Sequence, residues 1–163
     1  MRTDTATPNS GVLKAELAFQ RRLAMWSDGE GQRAAIDLAE HHRHLLPGRI
    51  TKAQLSGLMN VTLAAPDIAS VHAFMIHQGQ RAEKAGQQEV KDYWQDVSQA
   101  LTKTEIAAAE LAADVGLAPV SEAQRKGRAR SPAWLELALA RAFMQHLVAH
   151  SLYLAATVRA EKR

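Results

Sequence analysis

The stretch from Ile50 to Lys84 reads ITKAQLSGLMNVTLAAPDIASVHAFMIHQGQRAEK and predicts two helices with a short break between them. Thr51 and Gln54 have the spacing of a capping box, in which the hydroxyl accepts from a first-turn amide and the glutamine side chain reaches back to the capping amide. Pro66 ends the first helix because it lacks an amide donor and disfavours the α region at the preceding residue. Asp67 then caps the second helix.

The rest of the chain also has the composition of a helical protein. Alanine and leucine recur, β-branched runs are missing, and no alternating apolar pattern extends over five residues. We therefore predict an all-α fold: a disordered tail at residues 1–9, then a single-domain bundle of five or six helices at residues 10–163. A chain of 163 residues is long enough to bury a substantial core without a disulfide.

Turn signals divide the chain outside the opening stretch. The predicted elements are a helix from Ser10 to Met25, a turn at residues 27–31, a helix from Gln32 to Leu46, a helix from Gln87 to Asp114 and a helix from Pro132 to about Ala160. The helix predicted from Gln87 to Asp114 either runs in one piece or starts again at Thr102, whose spacing to Glu105 matches a capping box. The last is so apolar that it is either central in the bundle or packed on a partner.

Apolar periodicity selects the candidate core. The residues expected to be buried include Leu13, Leu17, Leu23 and Trp26, then Ala35, Leu38, His42 and Leu45, then Leu55, Leu58, Met59 and Leu63, then Ile68, Val71, Met75 and Ala82, and on the last helix Leu137, Met144, Val148 and Leu152, with Phe143 and Tyr153 beside them.

The composition excludes several kinds of protein. The chain has no cysteine, which excludes disulfides, thiolate metal sites and cysteine nucleophiles. The most apolar run, Leu147 to Val158, is too short to span a bilayer and contains His150, so no membrane partner is expected. The first residues lack the apolar core of a secretory signal, and we expect a cytoplasmic location.

Charge is unevenly distributed, although the formal net charge is only +3. Residues 87–115 hold six acids and two lysines, whereas residues 121–131 hold four basic residues and one glutamate. This asymmetry indicates one face for a polyanion and another for a basic neighbour. The alternative is a solvated helix and a basic loop without a partner.

Histidine is the residue type that raises the possibility of metal or acid-base chemistry. His146 and His150 are spaced i, i+4, but the sequence between them, HLVAH, lacks the glutamate of a zinc-protease helix. A packed or hydrogen-bonded role is favoured for both. Asp37, Glu40, His41 and His44 share a second face, interpreted as solvated. We predict no metal, no cofactor and no catalytic residue; a metal-dependent helical-bundle enzyme that uses His146 and His150 stays an alternative.

Basic residues support nucleic-acid binding through phosphate contacts. The candidates are Arg49, Lys52, Arg81, Lys84, Arg125, Lys126, Arg128 and Arg130. Such contacts are insensitive to base sequence. The alternative for Arg81 and Lys84 is an ordinary helix C-terminus, where cations are common. Tyr93 and Trp94 lie in the acidic segment, which argues against a platform for base stacking.

The opening stretch contains a helix that opens TKAQL, a short break, and a second helix that ends FMIHQGQR. This arrangement resembles the helical small subunits of class 1 CRISPR effector complexes, particularly types III and IV. The resemblance covers about Ile50 to Arg81. It implies a non-catalytic subunit that stacks in several copies along a filament built on guide RNA. The implied partners are guide RNA or target nucleic acid, other effector subunits and further copies of this chain.

The same resemblance points to Arg81, with Lys52 and Lys84 nearby, as candidate contacts to the nucleic-acid backbone. The acidic tract from Glu89 to Asp114 departs from the family pattern unless it faces a basic neighbouring subunit. Charge segregation suits head-to-tail stacking of copies, and it suits any helical adaptor equally. A protein-only interaction module is therefore the first alternative.

Overall fold

Six α-helices make up most of the computed structural model, which describes residues 10–117 and 133–161. The helices are α1 (Ser10–Trp26), α2 (Gln32–His41), α3 (Lys52–Ala64), α4 (Ile68–Lys84), α5 (Gln88–Asp114) and α6 (Ala133–Glu161). Between these bounds the regular structure is entirely helical, which confirms the all-α bundle. The predicted tail, the basic segment 121–131 and the start signal at Ser131 and Pro132 lie outside the described residues.

The two helices of the opening stretch begin as predicted. The Thr51 amide donates to Gln54 Oε1 at 2.9 Å and the Gln54 amide donates to Thr51 Oγ1 at 3.2 Å, which completes the capping box. At α4, the Ser70 amide donates to Asp67 Oδ1 at 2.8 Å. Gly86 then turns the chain into α5 with a φ of 68°, a left-handed conformation that suits glycine.

The predicted turn at residues 27–31 is wrong. The chain continues from α1 through a π-helical segment, Ser27–Gly31, directly into α2, and the flanking residues Trp26 and Gln32 have right-handed helical dihedrals. The reason is a packing contact between two residues of this same helical stretch, five positions apart. A Cβ on Gly31 would lie 2.7 Å from Cζ3 of Trp26, so this glycine allows the indole ring to pack on the backbone instead of marking a turn.

The end of α2 also differs from the prediction. The α-helix stops at His41, and a short 3₁₀ turn at Arg43–Leu45 follows where the helix was expected to reach Leu46. The buried stripe predicted from Ala35 to Leu45 is nevertheless confirmed at three of its four residues: Ala35, His42 and Leu45 are almost inaccessible to solvent, and Leu38 is half-buried.

Helix α5 is antiparallel to the helices on both of its sides. From α1 to the connection that follows α2, rising residue numbers pair with falling ones on α5: Arg22 on α1 pairs with Asp114, and His42 and Arg49, which follow α2, pair with Asp96 and Glu89. The same order holds against α4: His72 with Glu105, and Glu83 with Lys91. Helix α5 runs unbroken through Thr102, which decides between its two predicted forms.

Helix α6 is central, one of the two positions predicted for it. It packs on α2, α3, α4, α5 and the π-helical segment. Its fully buried apolar side chains are Leu135, Leu139, Ala140, Phe143, Met144 and Leu147. A second, smaller apolar cluster joins α1, α5 and the start of α6, and contains Phe19, Ala108 and Ala112.

Several predicted core residues are exposed. Leu13 and Leu17 are 51% and 57% accessible, and Phe19 supplies the buried contact of α1 instead. On α3, Leu63 is exposed while Thr62 is buried, because the Thr62 hydroxyl is satisfied by donating to the Leu58 carbonyl at 2.8 Å. Tyr153 on α6 is exposed as well. Periodicity identifies an apolar stripe but not how much of it a neighbouring helix covers.

Candidate functional site

Four of the predicted nucleic-acid contacts lie toward one end of the bundle. Helices α3 and α4 remain adjacent well beyond the break between them, since a Cβ on Gly57 would lie 3.7 Å from Cζ of Phe74. Arg49, just before α3, pairs with Glu89 at the start of α5, and Glu83, near the end of α4, pairs with Lys91 in the same part of α5. The start of α3, the end of α4 and the start of α5 therefore lie at the same end of the bundle. We call the group Arg49, Lys52, Arg81 and Lys84 the basic end.

The members of the basic end differ in what their charges contact. Lys52, Arg81 and Lys84 are exposed, and none of them has a hydrogen-bond or ion-pair partner within residues 10–117 and 133–161. Arg49 forms an ion pair with Glu89 on α5. Three cations are thus available to an external anion, whereas the charge of Arg49 is partly neutralised within the chain.

The remaining predicted contacts, Arg125, Lys126, Arg128 and Arg130, lie outside the described residues. The prediction that they bind a sugar-phosphate backbone therefore stays a prediction. These four residues are not part of the basic end as defined above.

The acidic tract on α5 is largely engaged by neighbouring helices. Four of its six carboxylates have a cationic or histidine partner elsewhere in the chain: Glu89, Asp96, Glu105 and Asp114. Asp92 accepts from the Gln88 side chain at 2.7 Å. The tract therefore contributes more to contacts between helices than to a surface for a basic partner.

His146 and His150 form two separate contacts between helices. His146 Nε2 lies 3.0 Å from Ser27 Oγ in the π-helical segment, and His150 Nε2 lies 3.0 Å from Glu40 Oε1 on α2. In the part of the chain that the structure describes, no third metal-ligating side chain joins them. The favoured hydrogen-bonded role agrees with this geometry, and Glu40 is not simply solvated as expected.

The structure brings together one group that the sequence analysis missed. His41, His42 and Asp96 place one ligand atom each within 4.8 Å of one another. His42 is buried, and its Nε2 lies 2.8 Å from Asp96 Oδ2 on α5. The adjacent histidines are visible in the sequence, but Asp96 is 54 residues from His42 and no local pattern connects them.

The two aromatic residues of the acidic segment are part of the core. Tyr93 and Trp94 are each 1% exposed and contact each other edge to face, with ring centroids 5.1 Å apart. Burial raises the pKa of the Tyr93 hydroxyl well above its ordinary value. These rings cannot stack on bases, as the sequence analysis argued.

Comparisons with protein-family models, with curated proteins and with solved structures find no match for this chain. Among the described helices, none is both long enough and apolar enough to cross a membrane. The basic end and the histidine-carboxylate contacts are therefore the features from which a function can be inferred.

Proposed function

We propose that this chain is a non-catalytic subunit of an RNA-guided ribonucleoprotein of the class 1 CRISPR kind, and that it contacts the backbone of guide or target nucleic acid. The observation that carries the proposal is the basic end, where Lys52, Arg81 and Lys84 are exposed and have no anionic partner in the described ranges. Cations in this state can neutralise phosphates and release the counterions condensed on a nucleic acid.

The contacts are to the backbone and not to bases. Tyr93 and Trp94 are buried in the core, and the basic end has no exposed aromatic ring among its members. Lysine and arginine contacts to phosphates position a protein without reading sequence. This property suits a subunit that must accept guides of any sequence.

The CRISPR assignment itself rests on the resemblance of residues 50–81 to the helical small subunits. Lys52 and Arg81 belong to that segment, and the capping box and the Asp67 cap define where its two helices begin. In the proposed complex, several copies stack along the guide, and each copy presents its basic end to the nucleic acid.

A charge-matched comparison tests the proposal. The variant Lys52→Gln/Arg81→Gln/Lys84→Gln removes three charges from the basic end, and Lys14→Gln/Arg21→Gln/Lys103→Gln removes three exposed charges elsewhere. Binding of a fluorescent single-stranded RNA is measured by anisotropy at several salt concentrations. We expect the first variant to lose at least about tenfold in affinity and its log-log salt slope to become shallower by about 2, since each single-strand phosphate contact contributes about 0.7.

Two outcomes would count against the proposal. One is the absence of RNA and DNA binding by the native chain even at low ionic strength. The other is an equal loss of affinity in both triple variants, which would assign binding to total charge and not to the basic end.

A protein-only interaction module is the second candidate, and one observation favours it. Leu13 and Leu17 are about half exposed on α1, and Trp134 at the start of α6 is 43% exposed beside them, so that together they line an open apolar groove. Light scattering of Leu13→Ser/Leu17→Ser would show a loss of self-association if this face joins copies. Loss of self-association with no nucleic-acid binding would favour this candidate.

A further inference from the structure

We propose that His41, His42 and Asp96 bind one divalent transition-metal ion such as Zn²⁺, which fastens the end of α2 to α5. Their three ligand atoms all lie within 4.8 Å of one another. Imidazole nitrogen and carboxylate oxygen are the donors that zinc-like ions take from proteins without cysteine. This site does not depend on the basic end or on nucleic-acid binding.

The His42–Asp96 pair already has nearly the separation that two ligands of one ion require. Ligands about 2.0–2.2 Å from a metal, at angles of roughly 90–110°, are about 3.0–3.5 Å apart. His42 Nε2 and Asp96 Oδ2 are 2.8 Å apart, so a shift of a few tenths of an ångström admits an ion between them. The His42 ring is held by burial and by edge-to-face contact with Tyr93, at a centroid distance of 5.2 Å.

His41 completes the site from the solvent side. Its ring centroid is 4.7 Å from that of His42, and the two rings are nearly perpendicular. The His41 side chain is exposed, so rotation about its side-chain bonds can bring a nitrogen closer without disturbing the core. Three protein ligands leave one or more coordination positions for water, as in other open zinc sites.

An ion can reach the site from the surface. His41 is exposed, and Asp96 lines an open groove of about 490 Å³, together with Asp37 and Lys103. Metal binding does not require the protein to unfold, and protons compete with the ion for the imidazole nitrogens.

A comparison with the other histidine contacts distinguishes this site. His72 meets Glu105, and His150 meets Glu40, each as one imidazole against one carboxylate. Over the described ranges, Asp96 belongs to the only group of three metal-ligating side chains in which the ligand atoms come this close. A single hydrogen bond needs only His42 and Asp96, and the second imidazole is what makes the group a metal site.

The test uses the full chain after treatment with a chelator, titrated with Zn²⁺ in a calorimeter. We expect one ion per chain, and at a metal concentration a hundredfold above Kd we expect the Tm to rise by roughly 5 °C or more. His41→Ala and Asp96→Asn should each lower the affinity at least tenfold. His77→Ala removes an exposed histidine from α4 and should bind Zn²⁺ like the native chain.

The two site variants complement each other. His41→Ala changes an exposed side chain, so it tests the site without threatening the fold, while Asp96→Asn keeps a hydrogen-bonding group against His42. The proposal is overturned if the native chain shows no saturable binding of one ion. It is also overturned if both site variants bind as tightly as the native chain, which would place the ion at other histidines.

Discussion

His72 on α4 and Glu105 on α5 lie 33 residues apart in the chain, and their Nε2 and Oε1 atoms are 2.6 Å apart. Nδ1 of the same ring lies 2.9 Å from Ser98 Oγ, so one imidazole bridges two residues of α5. The two side chains are 22% and 29% exposed, so solvent screens the electrostatic interaction between them only in part. This contact fastens α4 to α5.

Removing this contact should destabilise the bundle. We expect His72→Ala to lower the free energy of unfolding by about 1–2 kcal/mol, because it leaves the Glu105 carboxylate partly buried without its partner. Urea unfolding of His72→Ala, Glu105→Ala and the double variant gives the coupling energy, expected to be about 1 kcal/mol. His77→Ala, on the exposed side of α4, is the control; a coupling energy near zero would contradict the assignment.

Gly31 should not tolerate a side chain. In Gly31→Ala the new Cβ would lie 2.7 Å from Cζ3 and 2.9 Å from Cε3 of Trp26, so the indole must move from a position between both apolar clusters. We expect a loss of about 1–3 kcal/mol in unfolding free energy, the usual range for overpacking. Gly29→Ala is the matched control, because a Cβ there meets nothing within 4 Å. Equal stability of the two variants would show that the ring adjusts freely.

Glu89 should restrain nucleic-acid binding by holding Arg49. In Glu89→Gln the Arg49 guanidinium loses its ion pair and becomes available beside Lys52, so we expect RNA affinity to rise severalfold at low salt. The control is Glu110→Gln, which removes an exposed acid elsewhere on α5. The same anisotropy assay measures both, and an equal rise in both variants would show a net-charge effect without a role for Arg49.

Asp67, which caps α4, should make the free energy of unfolding depend on pH in the acidic range. Hydrogen bonds from the Ser70 side chain and then from its backbone amide lower the pKa of Asp67 below its ordinary value of 3.8. Because the folded-state pKa is the lower one, the stabilisation is fully present above pH 3.8 and is lost as the pH falls through the folded-state value. The stability difference between the native chain and Asp67→Asn should therefore shrink at low pH.

Unfolding in urea at pH 6 and near pH 3 measures this difference. Asparagine retains an acceptor for the Ser70 amide but cannot titrate, so it separates the charge from the hydrogen bond. A stability difference that is the same at both pH values would mean that the Asp67 charge does not stabilise the start of α4.

The helices of the opening stretch were predictable because their signals are local. Thr51 contacts Gln54, and Asp67 contacts Ser70, each three residues along the chain. Gly86 adopts its left-handed conformation at little steric cost, whichever helix packs nearby. The turn predicted at residues 27–31 failed because its glycine serves a contact with Trp26 and does not end the helix.

The candidate site was predictable only in part. Lys52, Arg81 and Lys84 were identified from charge and from the resemblance, and their exposure follows from the high cost of burying an unpaired charge. The sequence did not predict that these three residues lack ion-pair partners in the described ranges. Arg49 is also a cation beside a helix, and yet it pairs with Glu89, which is 40 residues away in the chain. Asp96 beside His42 depended in the same way on how α2 and α5 pack.

The helical nature of this protein, the starts of α3 and α4, and the residue types that can meet a phosphate or a metal ion were all predictable from the sequence alone. The packing of the helices was needed to show that α1 continues into α2, that α6 is central, and that His146 and His150 have separate partners. These two groups of features differ in the range of the interactions behind them. Caps and turns are satisfied within about one helical turn, whereas the Ser27–His146 contact joins residues 119 apart and exists only once the helices have packed.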